Sequence, residues 1–568
     1  MHIILILLLL STLILVNVKG ATSFDTQAYA LAHPCVWSIC KNAPTEYQNY
    51  SIDCCTLQVP LNYAKPNQSF ISISMSRLHS SYIRSNNTLF VITGGPGESG
   101  WSIFQTIADI IPVTYGITLI FPDHRGTGLS TLLNCDDQFS QTVTLNCISY
   151  LTNRWTIEGL NQFSITSAVH DLSIQIQAYQ SNDRLAILSF SYGTLWLDRF
   201  LQIYPNLVQA SIMDSPFNPL LQSMSLYNTR AAYVVAQFLT YCQIQTECIQ
   251  YFPNDPPAVM LHKILHDLDL NKQICINTYF SQYKINSNKM RSTLFFLFQS
   301  ALRYFDRTII PAFIFRLNRC NQEDVDALDF FFQTQGFSTS SSNNMSSNDE
   351  NLALLNSNVL FSNIVFSELW LSLNQSEIDQ ETLNALYNAT IMSREDSSDV
   401  IALRSAWPKY SLDEYRYRVA NSSVLMIAGQ LDPATPFDLA SHLATIMIKT
   451  RKLYSIPLVG HVITPIASLG YSCPLQIILS WAFPALFQSE RSDPACIQDL
   501  PTSIDFIGAT EMGRQTSLTL FNLTLPFGTS QQANNATADC STLSNSLSNY
   551  MIYIHILFFF SFFFKVIM

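Results

Sequence analysis

The chain is short of charge. Lys, Arg, Asp and Glu make up only 12% of its 568 residues, about half of the ~25% usual in soluble proteins. Basic residues are the scarcer kind, with Lys+Arg at 30 against 41 Asp+Glu, so the formal net charge is −11. That excludes a nucleic-acid binder built on a basic face, because phosphates need clustered Lys and Arg. Glycine is sparse, with 17 residues against 24 prolines and no fixed period. Collagen-like and wholly disordered classes are therefore excluded. No Cys/His cluster has zinc spacing, and Cys54-Cys55 is not a C-x-x-C pair. The glycine-rich stretch 93–100 is not followed by G-K-[ST], so it is not a Walker phosphate loop. There is no internal repeat.

What is abundant is apolar sequence, and its excess sits at the two ends. Residues 2–16 read HIILILLLLSTLILV, followed by V-K-G-A at 18–21. Small residues before a cut after Gly20 fit a secretory signal peptide over 1–20, despite a weak n-region. From Tyr550 to Met568 the chain reads YMIYIHILFFFSFFFKVIM, preceded by a polar, small-residue spacer at 536–549. This is the layout of a GPI-attachment signal, with attachment near Ala538 to Thr542. A single transmembrane anchor is the alternative, since ~20 apolar residues can span a bilayer. The expectation is an extracellular or cell-surface protein tethered to the membrane at its C-terminus. The 13 cysteines agree. Loss of Cys540 with a processed tail leaves 12, enough for six disulfides in an oxidising compartment. Proximity along the chain predicts the local pairs Cys35–Cys40 and Cys242–Cys248. N-x-S/T sequons at Asn49, Asn67, Asn86, Asn344, Asn374, Asn388, Asn421, Asn522 and Asn535 favour a glycosylated surface.

Between the ends, short β-branched runs alternate with amphipathic helical stretches, as in a mainly parallel sheet. Strands are predicted at 52–60, 70–77, 88–93, 117–122, 184–189, 208–213, 423–428 and 452–457. Several are continuously apolar, as strands buried on both faces should be. Helices are predicted at 166–179 and 193–204. From about 216 to 405 the strand rhythm stops. Helical runs such as 226–240 and 292–304 take over, with a polar segment STSSSNNMSSNDE at 338–350. The layout is an N-terminal half of an α/β core (21–215), a mostly helical insertion (216–405), a C-terminal half (406–500), an extension (501–549) and the tail (550–568).

Four segments carry chemistry. S-F-S-Y-G at 189–193 lies between a strand and a helix, as a nucleophile elbow does, with Ser191 raised on the tight turn. Ser189 stands where glycine is usual, which predicts a tighter turn. T-G-G-P-G-E-S-G at 93–100 follows an apolar strand, and its glycines let backbone N–H groups turn toward a ligand. Pro96 has no N–H, so the Gly95 N–H and the Tyr192 N–H are assigned as oxyanion donors. Asp432, in A-G-Q-L-D-P-A-T-P at 428–436, and His461, in L-V-G-H-V at 458–462, each sit just past a strand. The order Ser191, Asp432, His461 is the hydrolase order. In this reading Ser191 is the nucleophile, His461 the base and Asp432 the residue that orients it. No metal or organic cofactor is required.

Jointly, these segments resemble the tripeptidyl-aminopeptidase and prolyl-iminopeptidase family of serine exopeptidases, in its secreted branch. The resemblance runs through C-C-T-L-Q-V-P-L-N-Y-A-K-P at 54–66, G-G-P-G-E-S-G at 94–100 and D-H-R-G-T-G-L-S at 123–130. It continues through S-Y-G-T at 191–194, L-D-P-A-T-P at 431–436 and G-H at 460–461. Thr93 replaces the family's usual His, and the second Gly after His461 is missing. The resemblance implies an α/β-hydrolase fold with a helical cap and release of short peptides from free N-termini. It also implies carboxylates that recognise the amine, for which the insertion offers Glu247, Asp267, Asp269, Glu323 and Asp324. Asp123 and Arg125 read as a structural turn pair. Two other readings share the motifs: an esterase or lipase on the same fold, and a catalytically silent ectodomain that binds a partner. Oligomeric state is not legible.

Overall fold

The computed structural model describes residues 24–40, 50–80, 83, 86–136, 138–299, 304–335, 337, 356–394, 400–487 and 494–528. The expected signal peptide, the hydrophobic tail with its spacer, Cys540 and the polar segment 338–350 lie outside them. Among the described residues, no helix is long and apolar enough to cross a membrane.

One nine-stranded sheet organises the chain. Its strands are β1 (Ser38–Ile39), β2 (Tyr50–Pro60), β3 (Phe70–Ser80), β4 (Asn87–Ile92), β5 (Thr118–Pro122), β6 (Arg184–Phe190), β7 (Ala210–Asp214), β8 (Val424–Gly429) and β9 (Arg451–Ile456). They lie in the order β1-β2-β3-β5-β4-β6-β7-β8-β9. The edge β1-β2-β3-β5 is antiparallel, and every pairing from β5 through β4 to β9 is parallel. All eight predicted strands are present. The ninth, β1, is a two-residue pairing with no apolar run to announce it.

Apolar side chains alternate across the sheet because strand residues point to opposite faces. Phe90 and Ile92 of β4 enter one core, with Val169 and Leu172 of the helix Ile165–Ala178 and Trp196 and Phe200 of the helix Tyr192–Ile203. Leu89 and Val91 enter the other, with Trp101, Phe104 and Ile477. Each such side chain contributes roughly 1.5–3 kcal/mol of transfer free energy, so burial on both faces fixes the register and rigidly places the strand ends. The helix Ile165–Ala178 begins where the Ser164 side chain accepts a hydrogen bond from the Ser167 N–H at 3.2 Å.

The same alternation corrects one expected disulfide. Cys35 pairs with Cys55 and Cys40 with Cys54, not Cys35 with Cys40. Cys54 and Cys55 are neighbours on β2 and therefore point to opposite faces, so each captures a different partner. Cys242–Cys248 forms as expected, alongside Cys135–Cys147, Cys275–Cys320 and Cys473–Cys496.

Between Asp214 and Val424 the described chain adds no strand. The helices Tyr227–Ile244, Pro257–Asp269, Ser287–Gln299, Ile310–Arg319 and Gln322–Thr334 share a third core, rich in phenylalanine. The predicted run 292–304 begins earlier, in the helix Ser287–Gln299, and its positions 300–303 lie outside the described residues. Phe506, Phe521 and Phe527 from beyond the sheet join this core, so the extension helix Glu511–Phe521 packs on the insertion. The later part of the insertion behaves differently. Val359, Leu360, Trp370 and Leu383 belong to a core of the sheet itself.

Candidate active site

The parallel strands end together, and the turns that follow them meet at one cavity. Ser191 follows β6 with φ 52° and ψ −122°, a conformation that costs a non-glycine residue about 1–3 kcal/mol and that packing must hold. The turn is possible because position 193 is glycine: a Cβ there would lie 2.4 Å from the Thr93 carbonyl oxygen. Ser189, expected to tighten the turn, is instead accommodated sideways. Its hydroxyl donates to the Ile212 carbonyl on neighbouring β7 at 2.7 Å.

Asp432 follows β8 and His461 follows β9. The Ser191 hydroxyl lies 2.9 Å from His461 Nε2. His461 Nδ1 lies 2.9 Å from Asp432 Oδ2 and 3.0 Å from Oδ1. Asp432 is fully buried, and its other lone pairs accept from the N–H groups of Ala434 and Thr435 and from the Thr435 hydroxyl, each at 2.8 Å. A carboxylate so held fixes the tautomer with the proton on Nδ1, leaving Nε2 to accept from Ser191. Burial alone would push the His461 pKa down. The Asp432 carboxylate outweighs it, with Asp214 and Glu98 adding, so the imidazole stands above its ordinary value.

Both sides of the molecule hold the His461 loop. Asp214, at the end of β7, accepts from the N–H groups of Ile463 and Thr464 and from the Thr464 hydroxyl. Ser215 accepts from the Val462 N–H at 2.9 Å. From the insertion, the Gln299 carbonyl accepts from the His461 N–H at 2.9 Å, and the buried Arg307 guanidinium donates to the Leu458 carbonyl. Gly429 and Gly460 permit these approaches, since a Cβ at either would meet carbonyl oxygens at 2.3 and 2.7 Å.

Ser191 and His461 open into a cavity of about 330 Å³, small for a ligand pocket. Gly95 and Tyr192 line it, together with Glu98, Tyr227, Gln299 and Arg394. Gly95 has φ +100°, and a Cβ there would crowd the Gly97 nitrogen at 2.8 Å, so the loop needs glycine. Thr93, in place of the expected histidine, closes this loop by donating to the Glu98 carbonyl at 3.1 Å.

The five insertion carboxylates do not reach this cavity. Asp324 is buried against Arg316 and Arg319, and Glu323 sits beside Arg319. Asp269 and Glu247 line two other cavities, and Asp267 lines none of the three. The carboxylate that does line it is Glu98, within the quoted glycine-rich motif but not singled out from sequence. Its surface is open to the cavity, yet protein surrounds it closely enough that desolvation raises its pKa, against the lowering pull of His461, the Gly94 N–H and Arg394.

Asp123 and Arg125 are structural, but not as a pair. Arg125 grips Asp171 with two hydrogen bonds of 2.6 and 2.7 Å and donates to the Leu61 and Gln162 carbonyls. Asp123 accepts from the N–H groups of Gly100 and Leu129. Among the described residues no group of three or more His, Cys, Asp or Glu could hold a metal ion.

No protein-family model matches this chain, and no curated protein matches it in sequence. Solved structures do match. A proline iminopeptidase from Mycobacterium smegmatis is 13% identical over 76% of this chain and 99% of its own, with a TM-score of 0.33. A bromoperoxidase from Bacillus anthracis is 12% identical over 75% and 99%, with a TM-score of 0.31. An epoxide hydrolase from Vigna radiata is 11% identical over 77% and 99%, also with a TM-score of 0.31. At such identities no activity is carried across. The strand order, the elbow after β6 and the acid and histidine after β8 and β9 are those of the α/β-hydrolase fold.

Proposed function

We propose that this protein is a serine hydrolase of the α/β-hydrolase type, acting as an aminopeptidase that releases short peptides or single residues from free N-termini, outside the cytosol. The observation that carries the hydrolase reading is the unbroken line from the Ser191 hydroxyl through His461 to Asp432, with contacts of 2.9 Å, opening on a cavity. The peptide substrate rests on the motif resemblance at 94–100, 123–130 and 431–436. Six disulfides support an oxidising compartment.

The chemistry follows from the side chains. His461 Nε2 takes the Ser191 proton as Oγ bonds to the substrate carbonyl carbon. The carbonyl oxygen takes the electron pair, and the Gly95 and Tyr192 N–H groups receive it. Loss of one such donor costs about 2.7–4 kcal/mol of barrier. Asp432 stabilises the imidazolium and keeps its orientation. Protonated His461 then gives its proton to the leaving nitrogen and the C–N bond breaks. Water, deprotonated by His461, attacks the acyl-enzyme, and Ser191 recovers its proton as the C–Oγ bond breaks.

A fluorophosphonate probe tests the reading: it labels the folded wild type and not Ser191→Ala. No labelling of folded protein makes it a silent binding ectodomain. Free and N-acetylated peptide amides, compared with a short-chain ester, test the substrate class. Turnover of the ester alone makes the protein an esterase.

A further inference from the structure

The serine, histidine and oxyanion groups leave one carboxylate beside them without a task. Glu98 is the one carboxylate among the described residues lining the Ser191 cavity. It projects from the oxyanion loop itself. Its Oε2 lies 3.5 Å, and the Ser191 Cβ 3.0 Å, from the single point that a Gly94 Cβ would occupy. Its charge and that of His461 feel each other. An anion there is costly for a reaction that builds negative charge on the neighbouring oxygen, unless the substrate brings a cation to it.

We propose that Glu98 is a substrate-binding residue that receives the free α-ammonium of the very residue whose carbonyl Ser191 attacks, so that the enzyme removes single N-terminal residues. This rests on the aminopeptidase reading above. Covalent geometry supplies the length argument. An α-nitrogen lies about 2.5 Å from its own carbonyl carbon, two bonds away. The amine of a tripeptidyl unit lies two residues farther, each adding up to ~3.3–3.6 Å when extended. A carboxylate this near Ser191 meets the first and not the second. A longer N-terminal extension would instead place a neutral amide against Glu98, with no substrate cation to meet its charge. The five insertion carboxylates, which could have served a more distant amine, are all absent from the lining. Arg394, also in the cavity, has its guanidinium 5.0 Å above the Phe361 ring, and its pull on Glu98 favours the ionised carboxylate.

The test uses the full chain with aminoacyl-, N-acetylaminoacyl- and free tripeptidyl-coumarin amides, in wild type and Glu98→Gln. Fluorophosphonate labelling of Ser191 reports an intact site in each. In wild type, kcat/KM for the free aminoacyl substrate exceeds that for its acetylated form at least 100-fold. In labelled Glu98→Gln that ratio falls at least tenfold. An unchanged ratio overturns the proposal, and so does direct release of an intact tripeptide faster than of a single residue. An N-acetylarginyl substrate that matches the free-amine one also overturns it, since Glu98 would then be reading a side chain. If Glu98→Gln does not fold, competitive inhibition of wild type decides. An amino-acid amide at least tenfold tighter than its N-acetyl form supports the assignment, and equal inhibition rejects it. Failure of the hydrolase reading is distinguishable: wild type neither labels nor turns over any substrate, and both proposals fall together.

Discussion

Two buried charge networks lie in turns at strand ends, and they look alike until their last member. Around Arg125, the guanidinium is answered by Asp171 and by the carbonyls of Leu61, Pro60 and Gln162, with Tyr63 donating to Asp171 at 2.6 Å. Every group is answered by protein and both ends are sealed. Around His461, Asp432 is just as completely satisfied, but the line runs outward to the Ser191 hydroxyl and a cavity. The first network can only hold the fold. The second has a free end at which a proton can go to a ligand. Reading a charged motif as chemistry or as architecture therefore turns on whether its hydrogen-bond chain is closed.

The contrast can be broken most forcefully at the open end. Ser191→Ala is expected to lower kcat by about 10⁶ with an unchanged thermal midpoint. A loss under tenfold would remove Ser191 from the chemistry. Next, Asp432→Asn is expected to lower kcat by up to about 10⁴ through the wrong imidazole tautomer, read by steady-state kinetics. Near-wild-type turnover would reject the orienting role. At the closed network the readouts exchange places. Asp171→Ala, which strands Arg125 in the interior, is expected to cost about 3–5 kcal/mol of stability in denaturant titration, while the fraction still folded keeps its kcat. A stability change below about 1 kcal/mol would show the network is not sealed.

The smallest effect is in pH. His461 must be neutral to act as base, so activity is lost as pH falls through its pKa. Because Asp432, Asp214 and Glu98 hold that pKa above the ordinary ~6.5, the acidic limb of kcat/KM is expected above that value. Glu98→Gln removes one of the three anions and should move the limb downward, read with the acetylated substrate. An upward move would show that Glu98 does not act on the imidazole as an anion.

Sequence made some of this legible and hid the rest for physical reasons. Strands such as Thr118–Pro122 and Val424–Gly429 declared themselves because burial on both faces demands an unbroken apolar run. Ser191, Asp432 and His461 were readable because each sits just past a predicted strand, within three residues of a glycine whose Cβ would meet a carbonyl oxygen. The partner of Arg125 was not, because nothing local in D-H-R-G marks Asp171 on a helix 46 residues away. The Cys35 and Cys40 pairing failed for a related reason: closeness along the chain carries no information about which face of β2 each thiol meets. Glu98 lay in plain view within G-G-P-G-E-S-G, but its position invites a surface reading, and only the walls of the cavity give it a role. The acidic residues of the insertion match an amine by charge alone, but Asp324 is already occupied by Arg316 and Arg319.

The carbonyl of Gln299 holds the peptide nitrogen of His461, and the side chain of Arg307 holds the backbone one turn before it. The helical insertion is thus no detachable cover. An engineer who trimmed it to make a smaller, more open protein would also cut the strings by which the His461 imidazole is aimed at Ser191.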